Sequence, residues 1–562
     1  MQVGNLGEKQ FSLTNKFIKD RIRSVKKQTE PKRYLISFDS RTTAHVFTDV
    51  LVIGSGVAGL SAAIQAARHD AVLVVTKERM DENNTAYAQG GVAVVLSAGD
   101  TVSKHIKDTL DAGQGLCDAV TVKAIIGEGP KRINELIGWG ASFDKEDDLL
   151  IFTQEGGHRF PRIIHAQGDS TGKEIEQTLI RVTKENKNIK VFEHTFIIDL
   201  ITEDEVCHGA IAWHAKKGKM LIWAKRTILA TGGCGQVYRE TTNPGVATGD
   251  GLAIAYRAGA TLQDMEFVQF HPTTLYIAGA VRFLITETVR GEGGILKNKK
   301  GERFMPKYHP QAELAPRDVV SLSILKEMQK TDHTHVYIDI RHIPKERLYS
   351  RFPKIREICA SFGIDIAREL IPVRPSAHYM IGGVKVDRFS RTTIRQLYAC
   401  GEVACTGMHG ANRLGSNSLL EGLVAGSAAG IDASRSIQRS KRELFPYPIQ
   451  ELAGGSKISW LDLNDIGNSL KSLMWRDAGI ERDEKHLLEA EEMIEMWCRY
   501  VMDKEFANPT GWELQNMLLV SRLIVASARK RKESRGVHHR SDYPETDNTH
   551  WKRHITVKRQ KS

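Results

Sequence analysis

The sequence predicts an α/β fold: a Rossmann-like nucleotide-binding domain, interrupted by an inserted α+β domain and followed by a helical bundle. Three observations carry this. The stretch DVLVIGSGVAGLSAAIQAARHDAVLVVTK (49–77) reads as strand, glycine turn, helix and second strand. Two later stretches, RTILATGGCG (226–235) and QLYACGEVACTG (396–407), each run an apolar strand into a glycine turn, as returning strands of one interrupted domain would. Beyond Leu461, apolar residues recur at helix-face spacing in a glycine-poor, charged background.

The first strand is Val50 to Ile53, and the second is Ala71 to Thr76, after the turn Arg68-His69-Asp70. Between them lies G-x-G-x-x-G in its strand–turn–helix setting. Gly54 makes the tight turn, Gly56 lets backbone approach a pyrophosphate, and Gly59 lets helix and strand pack closely. The pyrophosphate then lies on the amide-rich start of the helix. The second strand ends Val75-Thr76-Lys77, with no acid to grip a ribose hydroxyl, so this is not a generic NAD site.

From Met265 to Tyr379 the strand–helix rhythm is lost and turns such as Lys299-Lys300-Gly301 appear, which marks the insertion. Leu470, Leu473, Met474, Leu487, Met493, Ile494 and Trp497, then Leu518, Leu519, Leu523 and Ile524, mark the core faces of the bundle. The expected division is a basic extension (1–44), a nucleotide-binding domain (45–264 and 380–449), the insertion (265–379), a helical domain (450–534) and a basic tail (535–562).

The bulk numbers exclude several classes. With 41% hydrophobic and 26% charged residues in 562, the composition is that of a multidomain globular chain. Apolar runs such as Ala71–Val75 fall far short of the roughly 20 residues of a membrane span. Of the net charge of +11, residues 1–44 carry +6 and residues 529–562 carry +7, which leaves the body at −2. The basicity therefore belongs to solvated ends, and no nucleic-acid partner is expected. Seven scattered cysteines with no CxxC pair predict reduced thiols in the cytoplasm and no metal site.

TQEGGHRFPRIIHA (153–166) sets Glu155 against two glycines and follows it with His158, Arg159, Arg162 and His165. Taken alone, Glu155 is either a solvated loop acid or a group that reads a ligand.

Seven ordered segments narrow the choice: NNTAYAQGGVAVV, TTNPGVATGDGLAIAYRAGA, FVQFHPTTL, FLITETVRGEGG, ELAPRDVV, SAHYMIGGVKVD and HGANRLGSNSLLEGLVAGSAAG. Over about 49–542 the chain resembles the succinate dehydrogenase/fumarate reductase flavoprotein family, and its aspartate-oxidising branch in particular. The resemblance implies FAD, a flavin domain, a mobile capping domain and a C-terminal helical domain. FAD contacts would come from Gly54, Ser55, Gly56, Val57, Ala58, Gly59, Lys77, Asn84, Thr85, Ala86, Tyr87, Ala88, Gln89, Gly90, Gly91, Asp250, Glu402, Ser418 and Leu419. Asn84 stands where membrane-bound members carry the histidine that bonds flavin covalently, so FAD is expected to be non-covalent.

On the substrate side, the resemblance makes Glu155 the partner of a substrate ammonium. Arg413, His378 and His271 become carboxylate donors, and Thr286 and Glu287 serve the far carboxylate and its support, with Arg290 near them. Arg317 would handle the proton, a role that needs close electrostatic help because guanidinium has a pKa above about 12. The implied activity is FAD-dependent oxidation of L-aspartate to iminoaspartate. That product feeds quinolinate synthase in NAD biosynthesis, and oxygen or fumarate reoxidises the flavin. The alternative is a soluble fumarate reductase or a succinate dehydrogenase flavoprotein subunit.

Overall fold

The computed structural model describes residues 31–280, 282–440, 443–444, 446–452 and 460–560. Its first domain is built from β1 (Ala44–Ile53), α1 (Val57–Ala66), β2 (Val72–Val75), α2 (Thr171–Glu185), β3 (Ile189–Phe192), β4 (Thr195–Glu203), β5 (Val206–His214) and β6 (Gly218–Leu229). The sheet order is β3-β2-β1-β6-β5-β4. The first four are parallel, and β5 and β4 return antiparallel. Strand β1 starts six residues before the apolar run because the long β6 pairs with it from Ala44 onward.

Helix α3 (Asp250–Arg257) leads into the insertion, which holds β7 (Val268–Leu275), α4 (Glu287–Gly291), β8 (Ile295–Lys297), α5 (Arg317–Lys330), β9 (Val336–Asp339) and β10 (Ile371–Met380). Its strands form an antiparallel sheet, β7-β10-β9-β8. A separate core of Ile285, Val289, Ile324, Ile338 and Val373 fills it. The chain returns through β11 (Leu397–Ala399), parallel to β6. The glycine-turn strands at 226–235 and 396–407 therefore lie in one sheet, as expected.

Helix α6 (Asn417–Gln438) lies on α1. The two can touch because Gly426 and Gly430 present no side chain: a Cβ there would lie 2.2 Å from the carbonyl oxygens of Ala58 and Ala62. Helices α7 (Leu463–Asp477), α8 (Glu484–Val501) and α9 (Pro509–Lys530) follow. Their buried faces, including Leu470, Ile494, Trp512 and Leu518, continue one core with Ile211 and Ile222 of the sheet, so the bundle is packed onto the nucleotide domain. Met493, expected in that core, is exposed.

Both basic ends depart from the expected solvated extensions. Residues 1–30 lie outside the described residues, but Tyr34, Leu35, Ile36 and Phe38 are buried, and Phe38–Asp39 pair with Gln450–Glu451. In the tail, Val537, His538, Arg540 and Ile555 are buried, and Thr556–Val557 adds a strand beside Leu262–Gln263. The reason is pairing: Arg531 is fully buried and donates to Glu266 Oε1 at 2.6 Å and Glu533 Oε1 at 2.9 Å. Charge that composition assigns to solvent is thus neutralised inside the fold.

Candidate active site

The glycine turn after β1 has no room for side chains. Gly54 has φ +113°, and a Cβ there would lie 2.1 Å from the Ala230 carbonyl oxygen; one on Gly59 would lie 2.1 Å from that of Gly54. Beside this turn and the start of α1 opens a cavity of about 1050 Å³. That is at the upper end for ligand sites, which run roughly 300–1,000 Å³. Gly54 to Ala58, Lys77, Asn84, Thr85, Tyr87 to Gln89, Asp250, Glu402, Ser418 and Leu419 line it. The insertion supplies another wall through Ala278–Ala280, Arg282–Leu284, Lys354 and Phe362.

Asn84 Oδ1 and Gln89 Oε1, on lining residues, are buried without a hydrogen-bond partner. Unpaired acceptors of this kind are costly unless a ligand supplies donors. Asn84 Nδ2 donates to Glu402 Oε2 at 2.9 Å, and the Met380 amide donates to Glu402 Oε1.

Four expected cofactor residues stand back from the lining. Gly59 serves close packing, the Ala86 amide is taken by Asn83 Oδ1, and a Cβ on Gly91 would strike Ile163. A Cβ on Gly90 would lie 4.0 Å from Glu155 Oε1, so the flavin-side turn borders the Glu155 loop. Lys77 reaches the wall, but its ammonium is committed to Asp250 Oδ2 (2.8 Å), Thr248 Oγ1 (2.8 Å) and Glu513 Oε1 (2.6 Å). Burial works against that charge, but Asp250 and Glu513 outweigh it and hold its pKa above the usual lysine value. Lys77 therefore holds Asp250 at the cavity wall.

Next to the cavity, the other candidates converge. Antiparallel pairing of β7 with β10 brings Gln269 opposite Tyr379 and His271 opposite Ser376. Arg317, the first residue of α5, donates through Nε to Glu287 Oε2 at 2.6 Å and through Nη1 to Gln269 Oε1 at 3.3 Å. Arg413 donates to the same Gln269 oxygen at 3.2 Å and to Ser418 Oγ at 2.9 Å, and lies 4.4 Å over the Tyr379 ring. A Cβ on Gly415 would sit 3.1 Å from Arg317 Nη2, 3.1 Å from Glu155 Oε2 and 3.3 Å from Glu287 Oε2. That glycine marks the point where the three charges meet.

Glu155 is buried, 3% exposed, so it is not a solvated loop acid. Burial, then the neighbouring Glu287, pushes its pKa up, while Arg317 opposes them. Burial also acts on Glu287, but Arg317 and Arg290 prevail and hold it below the ordinary carboxylate value. Burial, with Arg317 next to it, lowers Arg413 to about 10.

His271 and His378, 5.2 Å apart between ring centroids, are both pushed well below the usual histidine range by burial, reinforced by Arg317 and Arg413 respectively. Both rings are therefore neutral near neutral pH. His271 Nδ1 lies 3.1 Å from the Thr273 carbonyl oxygen and 3.2 Å from the Thr273 amide, and its Nε2 is buried without a partner. His378 Nδ1 meets Thr242 Oγ1 at 2.8 Å, and His378 borders the cavity. Thr286 is buried at the start of α4.

Of the other ionisable residues of the 153–166 loop, His158 borders this cluster through the Gly415 carbonyl and Glu287, and the rest pair elsewhere. Arg162 pairs with Asp100 and Asp108 at 2.8 and 2.6 Å, His158 meets the Gly415 carbonyl at 3.0 Å, His165 meets Thr153, and Arg159 reaches Asp111 at the surface. They fix the loop on which Glu155 stands. Sequence reasoning missed Gln269, Thr288 and Ser416. Gln269 sits two residues from His271 on one strand, the period that places side chains on one face, and that spacing could have singled it out.

Residues 49–419 match the family model described as FAD binding domain, and residues 467–562 match that described as fumarate reductase flavoprotein C-term. The L-aspartate oxidase 2-b, chloroplastic, of Nicotiana tabacum is 44% identical over 89% of this chain and 82% of its own length. The L-aspartate oxidase of Streptomyces coelicolor is 42% identical over 91% and 92%. The chain belongs to the succinate dehydrogenase/fumarate reductase flavoprotein family.

Among solved flavoproteins, a point variant of the FrdA subunit of E. coli quinol fumarate reductase superposes with a TM-score of 0.85 at 31% identity, covering 91% of this chain and 94% of that one. Sdh1 of Mycobacterium smegmatis superposes at 0.78 with 32% identity, covering 92% and 95%. FAD is the cofactor of this flavoprotein, and the glycine turn, Asp250, Glu402 and the unpaired amide oxygens are fitted to hold it. Among the described residues, no helix is long and apolar enough to cross a membrane.

Proposed function

We propose that this flavoprotein oxidises L-aspartate to iminoaspartate, with FAD held non-covalently. The observation that carries the reading is Glu155: a buried carboxylate near the Arg317 guanidinium, at a border of the flavin turn. A simple dicarboxylate gives such a group nothing to pair with, whereas an α-ammonium neutralises it. Leaving it unpaired under the wrong substrate is costly. The tobacco and Streptomyces relatives, named L-aspartate oxidases, support the same reading.

Bound FAD supplies the two-electron acceptor for the hydride that leaves Cα. The protein's own residues do the rest. Arg413 offers a planar two-pronged contact to one substrate carboxylate, with neutral His378 and His271 as further donors. Thr286 serves the far carboxylate. Glu287, already neutralised by Arg317, orients that arginine without repelling the substrate. Arg317 relays the proton lost by the ammonium, passing its own Nε proton to Glu287 Oε2, 2.6 Å away, as it receives the new one. Asn84 has an amide and no imidazole, which supports non-covalent FAD. Oxygen or fumarate is the proposed acceptor, and quinolinate synthase the consumer of the imine. A cytoplasmic setting fits the seven free cysteines, six of them buried.

The deciding experiment is anaerobic bleaching of the flavin by L-aspartate, D-aspartate or succinate, then reoxidation with oxygen or fumarate. Bleaching by L-aspartate alone is expected. Bleaching by succinate with none by L-aspartate would instead identify a fumarate reductase or succinate dehydrogenase flavoprotein, the reading that the E. coli and mycobacterial structures favour.

A further inference from the structure

Glu287 and Glu155 are neighbours with different partners. Glu287 holds Arg317, but both oxygens of Glu155 are met by hydroxyls: Ser416 Oγ donates to Oε2 at 2.7 Å, and Thr288 Oγ1 donates to Oε1 at 3.2 Å. The two donors come from different domains. Thr288 belongs to α4 of the cap, and Ser416 precedes α6 of the flavin domain.

Ser416 is the telling one. It occupies the N-cap of a 22-residue helix, where a serine ordinarily caps its own helix, yet its side chain makes no capping bond. Its backbone has φ +60°, a left-handed conformation uncommon for a residue other than glycine. The hydroxyl is thereby turned from the helix to Glu155. A short hydrogen bond to a carboxylate favours the charged form of the acid.

We propose that Ser416 and Thr288 are positioning residues for amine selectivity: their hydroxyls favour the charged form of the Glu155 carboxylate and aim it so that it accepts the substrate's ammonium. The proposal rests on the reading that Glu155 meets that ammonium. Glu155 faces Glu287, Arg290 and Arg317 in a buried site, where burial and Glu287 favour its protonation even against Arg317 and the two donors, so loss of either donor favours it further. A protonated Glu155 cannot pair with an ammonium, whereas fumarate, which has none, does not need the charge.

The test is steady-state aspartate oxidation and fumarate reduction across pH with FAD-loaded Ser416→Ala and Thr288→Val, beside Thr288→Ser and Glu155→Gln. In Ser416→Ala and Thr288→Val, kcat/KM for aspartate is expected to fall at least about tenfold more than for fumarate, the size of a hydrogen bond to a charged group. The loss should lie mainly in KM. The acid limb of the aspartate kcat/KM profile should move to higher pH, because losing a donor raises the acid's pKa further. Thr288→Ser should restore the limb.

Equal losses for both substrates with an unmoved limb overturn the proposal. If Glu155→Gln discriminates between substrates while Ser416→Ala and Thr288→Val do not, the ammonium reading stands and this proposal falls. If Glu155→Gln fails to discriminate, both fall. Flavin absorbance reports whether each variant folds, and the two loss variants carry the same prediction independently.

Discussion

At the residue scale, one glycine and one arginine organise the chemistry. A methyl group on Gly415 would be crowded by Glu155, Glu287 and Arg317, and Arg317 stands at the head of α5 with Glu287 against its Nε. Arg317→Leu is expected to keep the yellow bound flavin and lose nearly all aspartate turnover. Absorbance and oxygen-electrode rates check this, and ordinary turnover would remove Arg317 from the proton path. The seven substrate-side candidates were legible because each lies in a recognisable segment, and the structure gathers them. The supporting hydroxyls and Gln269 were not, because a serine at a helix start reads as a cap in sequence. Its diversion to Glu155 depends on a left-handed backbone that only the fold fixes.

At the element scale, the flavin turn is set by how α6 lies on α1. Gly422, Gly426 and Gly430, one turn apart, leave a groove for the α1 backbone. Gly426→Ala puts a methyl 2.2 Å from the Ala58 carbonyl oxygen, so the helices must separate. Overpacking of this kind costs about 1–3 kcal/mol, and because α1 begins at the glycine turn, FAD affinity should weaken with it. Urea unfolding and flavin titration measure the two losses, and an unchanged flavin Kd would uncouple helix packing from the cofactor. The strand–turn–helix was readable from apolar runs and glycines. The early half of β1 was not, because His45, Thr48 and Asp49 break the apolar pattern and only pairing with β6 extends the strand.

At the scale of the whole molecule, the ends belong to the fold. Arg531 is enclosed by Glu266, Glu533 and the carbonyls of Trp551 and Arg553. Arg531→Met leaves the buried Glu266 without its guanidinium partner, while Glu533 keeps Arg535, and the expected loss is about 3–5 kcal/mol. Thermal melting should show a marked drop, and an unchanged melting temperature would mean the tail is only draped on the surface. Composition hid this, since the acids that pair with the tail, Asp264 and Glu266, lie 290 and 265 positions earlier in the chain than His554 and Arg531. The cavity beside the glycine turn has walls from the flavin domain and the cap, and the Lys77 on its wall is tied to Glu513 of α9. The flavin is thus a keystone as well as a reagent: a ligand present at 100 times its Kd adds about 2.7 kcal/mol to the folded state, so the supply of FAD in the cell sets how long each copy survives as well as how fast it turns over.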